Sequence, residues 1–208
     1  MTALLATRSV EYLDRNGSNR PVSIAFPDIT LEEGEVVAVV GPSYSGKSIL
    51  MSLCAGLLRP TAGTVQRDTT VDGWGSSTFV PQALLLLPEL TVTENIALGA
   101  GRLFLTKNDD TRAAIERAAA AVDVARLLDR RVDELSVGER QRVMVARAVV
   151  SRPKIVIADE PAAHQDAAHA ASVLAALLAI RDDGGACMIF TRGDGVVPDA
   201  DQEIRLER

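Results

Sequence analysis

Apolar positions along this chain fall into short unbroken runs separated by longer stretches of mixed polarity, and the two patterns alternate. Glu35 to Val40 reads EVVAVV, short, β-branched and bounded by Gly34 and Gly41, which predicts a strand buried on both faces. Similar runs predict strands at Ser77 to Val80, Ile155 to Ala158 and Cys187 to Phe190. Helix-length apolar patterns predict helices over Ile49 to Leu58, Thr91 to Leu98, Thr111 to Leu128, Gly138 to Val150 and Asp166 to Ile180. Strands and helices alternate as in a parallel sheet with helical crossovers. The segment from Ala83 to Arg131 stands apart as mostly helical, and Asn16 to Arg20 and Leu105 to Asp110 read as flexible connections.

Composition narrows the class. With 208 residues, 47% of them hydrophobic, the chain can bury one sizeable α/β core. A formal net charge of -6 disfavours a generic grip on a nucleic-acid backbone, so no nucleic-acid partner is expected. Cys54 and Cys187 are the only cysteines and lie far apart in apolar segments, which fits buried thiols in a reducing compartment and no metal pair or disulfide. No apolar run reaches the roughly 18 residues of a membrane span. The opening MTALLATRSVEYLDR lacks the apolar core and cleavage site of a signal peptide, so a link to the membrane is expected through another chain.

The chemistry begins directly after the EVVAVV run. Gly41, Pro42, Ser43, Tyr44, Ser45, Gly46, Lys47 and Ser48, followed by Ile49, match G-x-x-x-x-G-K-[ST], the phosphate-binding loop, between a predicted strand and a predicted helix as the pattern requires. Loop amides and the positive helix end surround phosphate oxygens, Gly46 lets backbone approach them, Lys47 reaches the β and γ groups, and the Ser48 hydroxyl can ligate Mg²⁺. A glycine turn with an exposed lysine is the plain alternative. Asp159 and Glu160 end the run IVIADE: Asp159 is placed to hold Mg²⁺ through water, and Glu160 to polarise the attacking water as general base. Alone these acids would read as a strand cap; beside the loop they complete a nucleotide hydrolase.

Leu135 to Arg142, LSVGERQR, placed shortly before IVIADEP, resembles the signature motif of ATP-binding cassette (ABC) ATPases, whose usual form is LSGGQ. The chain is similar to that family over nearly its whole length. Gln82 in FVPQ matches the family's Q-loop, with a share in binding nucleotide and metal. Asp166 in DEPAAHQD matches the D-loop aspartate, and Tyr12 the aromatic that stacks on adenine, with Phe26 the competing aromatic and core packing the alternative. The resemblance implies an α/β fold: a P-loop NTPase (RecA-like) parallel-sheet core with an N-terminal antiparallel β subdomain and an inserted α-helical subdomain. Residues 1–82 and 132–208 would form the core with its β subdomain, and 83–131 the helical subdomain. It also implies ATP and Mg²⁺ as cofactors and a head-to-tail dimer, each ATP held between one P-loop and the other subunit's Ser136 and Gly138. Independently of any family, Ser136 and Glu139 have the spacing of a capping box at a helix start.

Three positions depart from the pattern. Val137 stands for the first signature glycine and is expected to weaken or slow closure on phosphate. Glu139 stands for glutamine, with little effect expected. Arg192 follows the strand MIFT where the family places its switch histidine. It is a candidate catalytic residue that could donate to the γ-phosphate but cannot relay a proton; the alternative is a surface arginine that turns to solvent or pairs with Asp194. His169 reads as a solvated helix-face residue, and for His164 an approach to the dimer interface is the alternative to exposure.

The resemblance implies an ATP-binding and ATP-hydrolysing subunit that powers a separate transmembrane permease, peripheral on the cytoplasmic face of the cell membrane, as a homodimer or with a second paired cassette. Compact length favours the export and lipoprotein-release branches over sugar import. Ala83 to Leu87, an apolar run after Gln82, lies where the family receives a short helix of the permease. The alternatives are an ATP-dependent scaffold on a membrane protein, as in cell division, and a slow, degenerate partner in an asymmetric pair. Val137 and Arg192 together lead us to expect low intrinsic turnover.

Overall fold

The computed structural model describes residues 2–14, 22–68, 76–101, 109–193, 195 and 197–207. Its centre is a sheet of β4 (Val36–Val40), β6 (Ser77–Val80), β7 (Ile155–Asp159), β8 (Ala186–Thr191) and β9 (Gln202–Arg205), in the order β6-β7-β8-β4-β9. Every pairing in it is parallel. A second, antiparallel sheet is built on β1 (Ala3–Asp14), which pairs with β2 (Val22–Ala25), β3 (Ile29–Glu32) and β5 (Ala62–Arg67).

The two-residue period of a strand sends alternate side chains to opposite faces, and it divides the core in two. Val36, Val156, Ala158, Cys187 and Ile189 face a cluster shared with α2 (Val92–Gly99), α3 (Asp109–Ala121), α4 (Val137–Val149) and α5 (Ala167–Leu178). Val37, Val39, Ile155, Ile157, Met188 and Phe190 face the other, shared with α1 (Lys47–Cys54) and the antiparallel sheet. Both faces are thus covered, which is why the central strands read as unbroken apolar runs. Cys54 and Cys187 are buried and free, and burial pushes each thiol up to about 12.

Three helices differ from the sequence expectation. The first begins at Lys47, inside the phosphate loop, and ends at Cys54, where the Arg67 guanidinium takes the Cys54 carbonyl at 2.7 Å; Leu57, expected to be helical, is exposed. The helix expected over Thr111 to Leu128 breaks after Ala121: Asp123 takes a φ of 53° and a 3-10 turn follows at Ala125–Leu127. Buried Val122, Val124 and Leu127 continue the apolar pattern across the break, so periodicity does not register it. The last helix is Ala167–Leu178 with Asp166 as its cap, and tightens into a 3-10 turn at Ala179–Asp183. The connection Asn16 to Arg20 lies outside the described residues, as does Leu105 to residue 108, whereas Asp109 and Asp110 open α3. Among the described residues no helix is long and apolar enough to cross a membrane.

Candidate active site

The phosphate loop leaves the C-terminal end of β4, an interior strand between β8 and β9, where open parallel sheets bind ligands. Gly46 caps α1 at a φ of 86°, and a Cβ there would stand 3.1 Å from the Phe26 ring, so only glycine fits without strain. Lys47 is buried at the floor and its Nζ donates to the carbonyls of Gly41 at 2.5 Å and Pro42 at 2.8 Å. Burial lowers its pKa, against the opposing pull of Glu160 and Asp159. The Ser45 hydroxyl is buried without a hydrogen-bond partner among the described residues, a donor held in reserve inside an anion-binding loop. Gly41 is packed so closely that a Cβ would meet Ser45 Oγ at 2.6 Å.

Above the loop opens a cavity of about 390 Å³. Ser43, Tyr44, Gly46, Lys47, Ser48 and Ile49 form one wall; Gln82, Asp159, Glu160 and Arg192 form the other. With Ile24 of β2, five separate segments meet there, four of them singled out from the sequence. Asp159 is buried, and its pKa is raised first by that burial and then by the Glu160 charge. The Glu160 backbone is held twice: its amide donates to Phe190 O at 2.8 Å and its carbonyl accepts from Gln141 Nε2 at 3.0 Å. Its φ of 45° is a left-handed value, costing on the order of 1 to 3 kcal/mol, that persists only where the surroundings over-determine it.

Arg192 does not turn to solvent alone. Its Nε donates to Glu160 Oε1 at 2.9 Å, so the candidate base and the residue in the switch position form an ion pair. The suggested pairing with Asp194 lies outside the described residues. Tyr12 is half-buried against the core cluster beneath the loop, and its cross-strand partner Ile24 lines the cavity instead.

The signature residues stand away from this cavity on the same chain. Ser136 caps α4 with the expected capping box: its hydroxyl accepts from the Glu139 amide, and the Glu139 carboxylate accepts from the Ser136 hydroxyl at 2.8 Å and amide at 2.9 Å. These bonds hold the Glu139 carboxyl below its ordinary value. Glu139 thus engages the Ser136 hydroxyl proton and places a carboxylate directly beside it. Val137, the residue replacing glycine, is exposed. Gly138 packs under the chain before α5, where its carbonyl accepts from Gln165 Nε2 at 3.0 Å.

Asp166 serves as the cap of α5, accepting from the His169 amide at 2.9 Å. His169 is not a freely solvated residue: its ring lies between Asp166 Oδ2 at 2.7 Å and Asp123 Oδ2 at 3.4 Å. His164 is exposed with a φ of 61°. Gln141 and Gln165, which tie the signature helix to Glu160 and to the D-loop, had no role assigned from sequence; a buried polar residue on an otherwise apolar helix face was the available signal for Gln141.

Among the described residues no three histidine, cysteine or carboxylate groups cluster as metal ligands. The donor set Ser48, Gln82 and Asp159 on one cavity still fits Mg²⁺, which keeps waters and substrate phosphates and takes only one or two protein carboxylates. The raised pKa of Asp159 marks a carboxylate that a cation would relieve.

A second cavity, of about 590 Å³, opens between β6, α2 and α4, walled by Phe79, Leu85, Leu87, Leu98, Met144 and Arg147. Leu85 and Leu87 project outward while Leu84 and Leu86 pack on the core. Asn95, fully buried, holds this run through hydrogen bonds with Leu87 N and O and with the carbonyls of Leu90 and Thr91.

Comparison with known proteins agrees with this geometry. The family profile described as ABC transporter matches residues 27–163. The chain is 34% identical to the lipoprotein-releasing system ATP-binding protein LolD 1 of Caulobacter vibrioides, over 99% of this chain and 93% of the relative. Among solved structures, the dimeric bacterial ABC transporter cassette MJ0796 superposes with a TM-score of 0.84 at 26% identity, covering 98% of this chain and 94% of that one. The same cassette in a dimeric post-hydrolysis state bound to ADP and Pi gives a TM-score of 0.79 at 26% identity, over 90% and 87%.

Proposed function

Because this chain belongs to the ABC transporter family and is an ATP-hydrolysing subunit that powers a membrane transporter, we propose the following division of labour within its site. Lys47 and the loop amides from Ser43 to Ile49 bind the β and γ phosphates, with the Ser45 hydroxyl as a further donor. Ser48, Asp159 and Gln82 would hold Mg²⁺, which supplies charge neutralisation at the phosphates. Glu160 accepts the proton of the attacking water. Tyr12, the cross-strand neighbour of the cavity-lining Ile24, stacks on the base. The observation that carries this reading is the meeting of Lys47, Ser48, Asp159 and Glu160 on one cavity wall or its opposite.

Ser136, Gly138 and Asp166 lie outside that cavity, and we assign them to a facing subunit in a head-to-tail dimer, a second copy or a paired cassette. The groove bearing Leu85 and Leu87 receives a separate transmembrane permease, which holds the chain at the cytoplasmic face of the membrane. Exposed apolar side chains lining a concave surface support that use. Arg147 supports an acidic residue on the partner, since its guanidinium is partly desolvated among these apolar groups and its pKa is lowered by burial. The full-length similarity to a lipoprotein-releasing subunit supports the release of lipoproteins as the work driven.

Co-expression with a lipoprotein-releasing permease and reconstitution in vesicles test the proposal. ATP-dependent release of a lipoprotein is expected, and Leu85→Asp with Leu87→Asp should abolish co-purification with the permease while basal hydrolysis stays within about twofold. Coupled hydrolysis without any release would favour the second reading, a scaffold or slow partner, which the Glu139 to Ser136 contact supports.

A further inference from the structure

Glu160 and Arg192 leave neighbouring parallel strands from almost the same level, since Asp159 on β7 is in register with Phe190 on β8. The amide and carbonyl of Glu160 are fixed by Phe190 and Gln141, but these bonds leave its side-chain torsions free. Arg192 provides the remaining restraint through Nε and Oε1 at 2.9 Å. Among the described residues Oε2 takes no hydrogen bond, and the carboxylate, 14% exposed, borders the phosphate cavity.

We propose that Arg192 is a positioning residue for the catalytic carboxylate, holding Glu160 by Oε1 so that Oε2 faces the attacking water; it acts on the base and not on the nucleotide. This rests on the reading of Glu160 as general base. In the step it serves, a water proton passes to Oε2 as the water oxygen bonds the γ-phosphorus. The bond from that phosphorus to the β,γ-bridging oxygen breaks, and ADP leaves with the electron pair. Arginine suits the task because it cannot accept a proton, which leaves Glu160 as the pair's only acceptor. The arginine side chain is 60% exposed, so the pair biases the carboxylate by about fivefold at most. That is enough to orient a base and too little to lock it.

Steady-state hydrolysis by the purified chain, alone and with its permease, tests the proposal with Arg192→Ala and Arg192→Lys. Nucleotide affinities are measured in a Glu160→Gln background, where turnover does not interfere. Arg192→Ala should lower kcat about fivefold with KM, and the ratio of ATP to ADP affinity, unchanged within about twofold. Arg192→Lys should recover at least half of the lost rate. An unchanged or raised kcat in Arg192→Ala overturns the proposal, as does selective loss of ATP affinity, which would put Arg192 on the γ-phosphate. Substantial turnover in Glu160→Gln alone would overturn the general-base reading instead, so the two failures are distinguishable.

Discussion

At the scale of single residues, charge placement decides what this site can do. Lys47 is buried with its ammonium already coordinated by two carbonyls, so it is pre-aimed at the position of a phosphate oxygen and loses little freedom on binding. Lys47→Ala should weaken ATP by on the order of 100-fold or more, as charge-assisted hydrogen bonds to phosphate are lost; isothermal titration checks it. Glu160→Gln keeps the shape but removes the proposed base, and should retain ATP while turnover becomes negligible and a dimer persists on size exclusion. Glu139 offers a third substitution: Glu139→Gln preserves the cap but removes the anion beside Ser136. It should promote ATP-driven dimerisation several-fold, with a stability change below about 0.5 kcal/mol.

At the scale of elements, two helix starts frame the proposed phosphate contacts. For α4, Ser136→Ala removes the capping oxygen and should cost about 1 kcal/mol in denaturant unfolding. The lowered pKa of Glu139 comes from its bonds to Ser136, so its contribution is fully present above the ordinary value of 4.5 and is lost as pH falls through the lowered one. Ser136→Ala keeps the bond from the Ser136 amide, the larger cause, and removes the one from its hydroxyl, so it should flatten the acid limb of the stability profile only in part. For α1, Gly46→Ala forces a Cβ onto a φ of 86° and towards the Phe26 ring. A loss of about 1 to 2 kcal/mol is expected, together with weaker ATP binding because Lys47 follows directly.

At the scale of the whole molecule, the site is held together against its own electrostatics. Burial and the Glu160 charge raise the pKa of Asp159 above 3.8. Between 3.8 and the raised value the folded state therefore binds more protons than the unfolded chain. Stability falls as pH rises through that window, and the penalty is complete at neutral pH. In thermal melts without nucleotide, Asp159→Asn should raise the midpoint at pH 7, and the gain should vanish below pH 3.8. Conversely, ATP with Mg²⁺ at 100 times its Kd should stabilise the wild type by about 2.7 kcal/mol, a rise of roughly 5 to 10 °C for a chain of this size.

The sequence by itself determined the parallel core and the identity of the phosphate loop, the signature and the two acids. Those features are local: Val36 to Val40 is apolar because both faces of β4 are covered, and the loop pattern is a continuous stretch that works through its own backbone. Helix boundaries were less legible, because Val122 and Val124 stay apolar across the turn at Asp123 and nothing in their period records a positive φ. The exposed strands β2 and β9 carried too few buried residues to register at all. Only the tertiary structure decided the partners of charged side chains. Arg192 and Glu160 are 32 residues apart and meet through the β7 and β8 register, while Asp123 reaches His169 across the fold from the turn after α3. A hydrogen bond is short and directional, so its partner is set by where the packed elements bring each side chain, which composition and periodicity along the chain do not encode.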